Sequence, residues 1–365
     1  MVDFGAVGGA FELLSENLAA WAVIVPGLLI GLIGGAMPGV SISMTMAIFL
    51  PATLYMDFLP AILFLTAIFT GGGFGGSVPA VLMNIPGTPS AVATTFDGYP
   101  MTQQGRHNEA LGVALVASCI GMMAGYILLF LLIEPLSIAV LRLGPLEMLV
   151  VAIWGLTLIA ALHGVHMLRG LMAGLVGVLF GTLGMNDAGY IRGTFGIPVL
   201  LDGIPPIPAI IGLFVASQLF NLISREYIVE DEASRKMSFP LIWRGVREAL
   251  RHPTVLVRGS VIGIVIGAVP GVGSSVSNLL SYAETRRRDP DPESYGTGNP
   301  KGVVAAESAN SSSEGGSMAT LLALGIPGGG GTAILLAAFA THNIVGGPKF
   351  LADHKDIVYA IIFGN

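Results

Sequence analysis

The sequence predicts an all-α, polytopic integral membrane protein, built as two inverted repeats with broken helices or re-entrant hairpins. Composition is the first reason. Hydrophobic residues make up 53% and charged residues 11%, with a mean hydropathy of +0.78, whereas a soluble domain carries about 25% charged residues. Apolar runs near 18–37, 58–70, 110–133, 145–162, 167–184, 204–223 and 255–269 approach the roughly 20 residues that cross a bilayer. The second reason is a duplication. Gly27, Gly31, Gly35 and Gly39 recur every four residues and end in Met-Pro-Gly; 232 positions later Gly259, Gly263, Gly267 and Gly271 end in Val-Pro-Gly. The segments 27–43 and 259–275 agree at nine of seventeen positions. A small-residue face on an apolar helix admits another backbone closely, and Pro-Gly interrupts the helix after it.

The elements follow in chain order. Asp3, Glu12 and Glu16 precede the first apolar run, and residues 1–105 contain no Lys or Arg, so no cleaved signal peptide is expected. Residues 1–223 form the first repeat and its connecting helices. Within them Cys119 reads as a small packing residue. Arg142 and Glu147 flank a turn at Gly144-Pro145. His163, His166 and Arg169 mark a helix end, since no Cys or carboxylate shares their spacing. Asp187, Arg192 and Asp202 lie in a solvated connector. Residues 224–258 form a linker with seven cations (Arg225, Arg235, Lys236, Arg244, Arg247, Arg251 and Arg258), which is expected in the cytoplasm. Within it Leu241, Ile242, Val246 and Leu250 share one face of an interfacial amphipathic helix. Residues 259–365 form the second repeat. The loop 284–301 is again basic, with Arg286, Arg287, Arg288 and Lys301. A hairpin turning at Val269-Pro270-Gly271 keeps both basic loops on one side; a single crossing would separate them. The flanks of the first copy, acidic and neutral with no Lys or Arg, suggest that it opens to the opposite face.

A second matched pair extends the repeat. GGSVPAVLMNIPGTPSA (75–91) and GGSMATLLALGIPGGGGTA (315–333) share Gly-Gly-Ser, an apolar stretch and Ile-Pro-Gly. Each half therefore carries two interruptions. Irregular backbone at membrane depth is tolerated only inside protein or beside a wet cavity. Helix starts there hold anions, and freed carbonyls hold cations, the arrangement of a secondary transporter. The substrate-binding candidates are Pro38, Gly39, Ser41, Ser43, Asn84, Pro86, Gly87, Thr88, Pro270, Gly271, Gly273, Ser274, Ser275, Pro327 and Gly328. The run AAESANSSSEGG (305–316) is either a polar loop or an intramembrane segment. In the second case Glu307, with Asn310, is the ion-coupling candidate.

The motifs GGAMPGV, MNIPGTPSAVATTFDGYPM, AVPGVGSS, AAESANSSSEGGS and LGIPGGGGTA resemble those of the large permease subunit of the tripartite tricarboxylate transporters, from about residue 20 onward. The resemblance implies a multi-pass bacterial inner-membrane permease that imports organic carboxylates, citrate or a dicarboxylate among them, on a Na⁺ or H⁺ gradient. Its implied partners are a small membrane subunit and a periplasmic solute-binding protein, with no nucleic acid and no cofactor beyond the coupling ion. Family members continue through further membrane helices, so the second repeat is expected to be incomplete at residue 365. Ser311, Ser312, Ser313 and Glu314 stand where the family more often has Asn and Ala. Ile-Pro-Gly at 326–328 is followed by glycine rather than serine, so the substrate need not be a tricarboxylate. The alternative is a channel-like pore for small anions. An enzyme is disfavoured, because the chain has no Walker A loop, G-x-S-x-G elbow or HExxH.

Overall fold

In a computed structural model the chain is described at residues 3–140, 146–147, 149–150, 153, 167–185, 190–197, 200, 204 and 238–365. The described residues are almost wholly helical: α1 (Phe4–Glu16), α2 (Leu18–Ala36), α3 (Ile42–Thr53), α4 (Phe58–Gly75), α5 (Ser77–Met83), α6 (Val92–Gln103), α7 (His107–Val140), α8 (Met167–Gly181), α9 (Phe239–Leu250), α10 (Pro253–Gly267), α11 (Ser274–Arg288), α12 (Pro300–Leu324), α13 (Gly330–Thr341), α14 (Pro348–Asp353) and α15 (Lys355–Gly364). The exception is a two-residue ladder, Gly184–Met185 with Ile191–Arg192. Among the described residues, Leu18–Ala36, Phe58–Met83 and His107–Pro135 are long and apolar enough to cross a membrane, and α9 with α10 forms a pair bent by 78°. Arg142, His163, His166, Asp187, Asp202, Arg225, Arg235 and Lys236, the run 204–223 apart from residue 204, and most of 145–162 lie outside the described residues.

The glycine ladders set the packing. A Cβ on Gly27 would meet Phe64 and Ala67, and one on Gly31 would fall 2.2 Å from the Ile68 carbonyl oxygen. One on Gly35 would fall 2.4 Å from the Gly72 oxygen. The contacts advance in the same direction, so α2 and α4 are parallel, and α3 brings the chain back between them. The span expected over 58–70 runs on to Met83, because Gly71, Gly72 and Gly75 stay helical against the backbone of α2. The second half repeats this arrangement. Gly259 meets Ala305 and Ser308, Gly263 meets Ala309 and Ser312, and Gly267 meets Ser313; α10 and α12 are therefore parallel, with α11 returning between them. The turn at Val269-Pro270-Gly271 is thus a hairpin tip. Helices α4 and α12 run antiparallel, since Thr70 contacts Glu314, Gly73 contacts Asn310 and Ser77 contacts Glu307.

The run 305–316, for which a loop was one alternative, is helical and buried throughout within α12. Its serines bond backbone carbonyls: Ser312 and Ser313 reach back one turn to Ala309 and Asn310, and Ser317 reaches Gly267 at 3.0 Å. Hydroxyls satisfied in this way can enter an interior that excludes bare polar groups.

One end of the bundle gathers cations. Gln104 bonds the Thr297 oxygen at 2.7 Å, Ser238 bonds Asn108 at 3.2 Å, and Arg244 lies 4.0 Å from Glu109. Residues 97–109, 238–252 and 286–301 therefore share an end. At the other end Lys355 pairs with Glu134 and Asp3. On α9 the amphipathic face expected of an interfacial helix is present, whereas the packing role expected of Cys119 is corrected. On α9 the inward residues are Gly245 and Ala249, packed on α7 where a Cβ on Gly112 would fall 2.1 Å from the Ile242 oxygen. Leu241 and Leu250 point outward, because a backbone-to-backbone crossing leaves no room for large side chains. Cys119 is exposed on α7 rather than packed, as apolar positions facing lipid are. Arg169 sits in the first turn of α8, and Arg192 is exposed on the ladder.

These clashes predict that Gly31→Ala and Gly263→Ala each lose about 1–3 kcal/mol through overpacking. Gly8→Ala, with nothing within 4 Å of its added Cβ, is expected to be neutral or stabilising. Thermal unfolding in detergent measures the difference.

Candidate functional site

The four interruptions are built alike in the two halves. Pro38 and Pro270 cannot donate to a helix ladder, and each is followed by a glycine at positive φ, Gly39 at 92° and Gly271 at 79°. Ser41 then caps α3, its Oγ accepting from Met44 N at 3.1 Å. At the matching position Gly273 (φ 67°) precedes α11, leaving Ser274 and Ser275 half-buried in its first turn. The Ile-Pro-Gly breaks begin with left-handed residues, Asn84 at φ 56° and Gly325 at φ 70°. Asn84 is exposed, so its part in the break is its backbone conformation. Each Ile-Pro-Gly glycine lies over the last ladder glycine of its own half: a Cβ on Gly87 would fall 2.2 Å from the Gly35 oxygen, and one on Gly328 would fall 2.7 Å from the Gly267 oxygen.

The halves then cross over. Ser43 of α3 abuts Gly330, the first residue of α13, where an added Cβ would meet Ser43 Oγ at 2.3 Å. Asn278 of α11 donates its side-chain amide to the Ser90 carbonyl oxygen, in the 3-10 turn Pro89–Ala91 that follows the first Ile-Pro-Gly. Within the second half Gly271 N bonds the Gly328 oxygen at 3.0 Å, and Gly273 lies 3.6 Å from a Cβ built on Gly329. Gly271, Gly273, Gly328 and Ser43 are thereby brought to one place. Thr88 pairs with Ser90 at 3.0 Å beside Asn278. The Oδ1 of Asn278 is buried with no partner among the described residues. Asn278 escaped the sequence reading because it lies seven residues past Pro270-Gly271, one turn inside the helix.

Glu307 is fully buried at the junction of both halves. Ser77 donates to its Oε1 at 2.6 Å, Thr94 donates to the same atom, and Ser118 donates to Oε2 at 2.8 Å. Asn310, one turn on, also bonds Glu307 and reaches the Gly73 oxygen at 3.2 Å. Ser77 follows Gly76, whose oxygen accepts from Gly87 N at 3.0 Å, so the carboxylate pocket is one residue from the first Ile-Pro-Gly break. The three hydroxyls come from α5, α6 and α7, separated in sequence by up to 230 residues from Glu307, and no local spacing announces them.

Asp97, inside the TFDGYPM stretch, was given no role from sequence and is also fully buried. Its Oδ1 accepts from the backbone of Gly296, Gly298 and Asn299 at 2.8–3.0 Å, and its Oδ2 from Tyr282 at 2.9 Å. It thus fastens the loop that enters α12 to α6 and α11. Nearby Tyr295 donates to Asp289 at 2.9 Å, and burial together with that carboxylate pushes its phenol pKa above the usual range.

The sequence matches the tripartite tricarboxylate transporter TctA family over residues 21–365, and the chain belongs to that family. It is 31% identical over 337 residues to the "Uncharacterized 52.8 kDa protein in TAR-I ttuC' 3'region" of Agrobacterium vitis, covering 92% of this chain and 66% of that one. It is also 31% identical over 100 residues to the "Uncharacterized protein in TAR-II ttuC' 3'region" of the same organism, covering 27% of this chain and 41% of that one. No solved structure matches.

Replacing Asp97 by Ala orphans three backbone amides and a phenol, each costing about 1–3 kcal/mol when it stays dry. Asp97→Ala is expected to lower the unfolding midpoint and to speed hydrogen exchange at residues 296–299, with Asp97→Asn intermediate.

Proposed function

With family membership as the premise, we propose that the chain is the permease subunit of a tripartite secondary transporter that imports organic carboxylates on a Na⁺ or H⁺ gradient. It works in a bacterial inner membrane with a small membrane subunit and a periplasmic solute-binding protein. The observation that carries this reading is the reciprocal crossing of the breaks: α3 of one half on α13 of the other, and α11 on the 3-10 turn of the first. The starts of α3, α11 and α13, gathered at the breaks, suit a ligand bearing several carboxylates. Ser43, Ser274, Ser275 and Thr88 supply hydroxyls around them, and Pro38, Gly39, Pro86, Pro270 and Pro327 keep the backbone open.

Glu307 with Ser77, Thr94, Ser118 and Asn310 is the coupling-ion site in this reading. Oxygen ligands from a carboxylate and hydroxyls suit a hard monovalent cation or a proton. Its place one residue from Gly76 links ion occupancy to the first break. The antiparallel α4 and α12, each paired in parallel with the first helix of its own half, support an inverted repeat about an in-plane axis. The crowded cationic end then lies in the cytoplasm.

Uptake of labelled citrate and other di- and tricarboxylates into proteoliposomes holding the permease and both partners tests this. Saturable uptake dependent on an imposed gradient is expected, and uptake without saturation or gradient dependence would indicate a pore instead. Glu307→Gln is expected to remove the ion dependence, and Ser274→Ala to weaken uptake about tenfold, roughly 1.4 kcal/mol. If both variants behave as wild type, the assigned site is wrong. Cysteines placed at 97–108 and 284–301 are expected to label from the same side.

A further inference from the structure

Helix α12 carries a second buried carboxylate, one heptad beyond Glu307. Glu314 is 4% exposed, and its Oε1 accepts from Thr70 Oγ1 on α4 at 2.9 Å and from Tyr126 OH on α7 at 2.8 Å. The spacing reproduces the first pocket. Glu307 and Glu314 are seven residues apart, Thr70 and Ser77 are seven apart, and Ser118 and Tyr126 are eight apart. The same three strips of helix therefore present a carboxylate and two hydroxyls at two levels.

No cation answers this second carboxylate among the described residues. Helices α4 and α13 contain no ionisable side chain. Helix α10 contains only Arg258, beside the glycine that packs on Ser308, level with Glu307. On α7, Glu109 pairs with Arg106 and Glu134 with Lys355, both towards its ends. Lys355 of α15 is shared between Glu134 and Asp3, Asp356 follows it, and α14 adds Lys349 and Asp353. Tyr126 is the one titratable group bonded to Glu314, and it cannot balance a negative charge. A carboxylate charge buried with nothing opposite it is expensive, and such groups take up a proton instead. A metal cation gathers several oxygens, and two hydroxyls on one oxygen make too thin a shell. The same two donors on Oε1 leave Oε2 for a proton.

We propose that Glu314 is a second cation site of the transport cycle and that its cation is a proton. The link to transport rests on the function proposed above; protonation of the side chain does not. Infrared difference spectroscopy on the full chain in lipid nanodiscs reads the protonation directly. The expected result at neutral pH is a protonated-carboxyl stretching band that Glu314→Gln abolishes, Glu307→Gln retains and Tyr126→Phe shifts. Identical carboxyl bands in wild type and Glu314→Gln would overturn the proposal. Tyr126→Phe keeps the carboxyl and guards against a variant that misfolds.

The transport arm uses citrate uptake in proteoliposomes with both partner subunits. An imposed pH gradient of about one unit supports up to about tenfold more accumulation for each coupled proton. Glu314→Gln is expected to lose about that tenfold, and pH-driven accumulation unchanged in Glu314→Gln would overturn the coupling. If wild type accumulates nothing under any gradient, the transporter reading fails while the infrared result still decides the protonation.

Discussion

Burial of α12 is the constraint on which the rest of the molecule depends. Two carboxylates, an asparagine and a row of hydroxyls lie along a helix that meets no bulk water over most of its length. In such surroundings every polar atom needs a partner inside the protein. The small residues of α10 bring the end of its backbone near enough to accept from Ser317 and Thr320, and the glycines of α7 seat that helix against the α12 backbone. At Gly121 and Gly125 of α7 an added Cβ would fall 2.4 and 2.9 Å from the oxygens of Ser308 and Ser312. Close packing and polar satisfaction thus meet where α10 ends: displace Gly267 and Ser317 loses its acceptor.

The halves share a plan but not a chemistry. In the first half α4 is apolar and glycine-rich. In the second the central helix carries both carboxylates. Ser77 and Ser317 occupy matching places after Gly-Gly, yet Ser77 donates to Glu307 and Ser317 to the Gly267 backbone. The carboxylate is contributed by one half and most of its hydroxyl shell by the other. In the proposed function this asymmetry has a use, since an ion-coupled permease would have to tell ion from substrate.

Much of this was legible in the sequence. The glycine period of four, its copy and the two Ile-Pro-Gly segments name the packing faces and the breaks, because helix geometry and proline chemistry act over a few residues. The hairpin at Pro270-Gly271 followed from the cations on either side of it. What was not legible is which break meets which. Nothing local says that Ser43 faces Gly330 or that Asn278 faces Ser90. The apolar face of α9, with Leu241 and Leu250 outward, was legible as that of an interfacial helix, whereas the seat of Gly245 and Ala249 on α7 was not. Asp97 is a short acidic side chain in an ordinary-looking turn of helix, and its value comes from a loop that arrives about two hundred residues later.

The crossing contacts also impose an order in time. Ser90 and Asn278 are 188 residues apart, and Thr70 and Glu314 are 244 apart. A chain emerging from its N-terminus can insert α2 and α4 and zip their glycines together while the second half is still unmade. It cannot complete either break or either carboxylate pocket. Helices that insert first and associate afterwards are the rule in membranes, and here the separation falls between scaffold and site. The half-synthesised chain holds the α2–α4 scaffold but neither the crossing of the breaks nor the partners of either carboxylate.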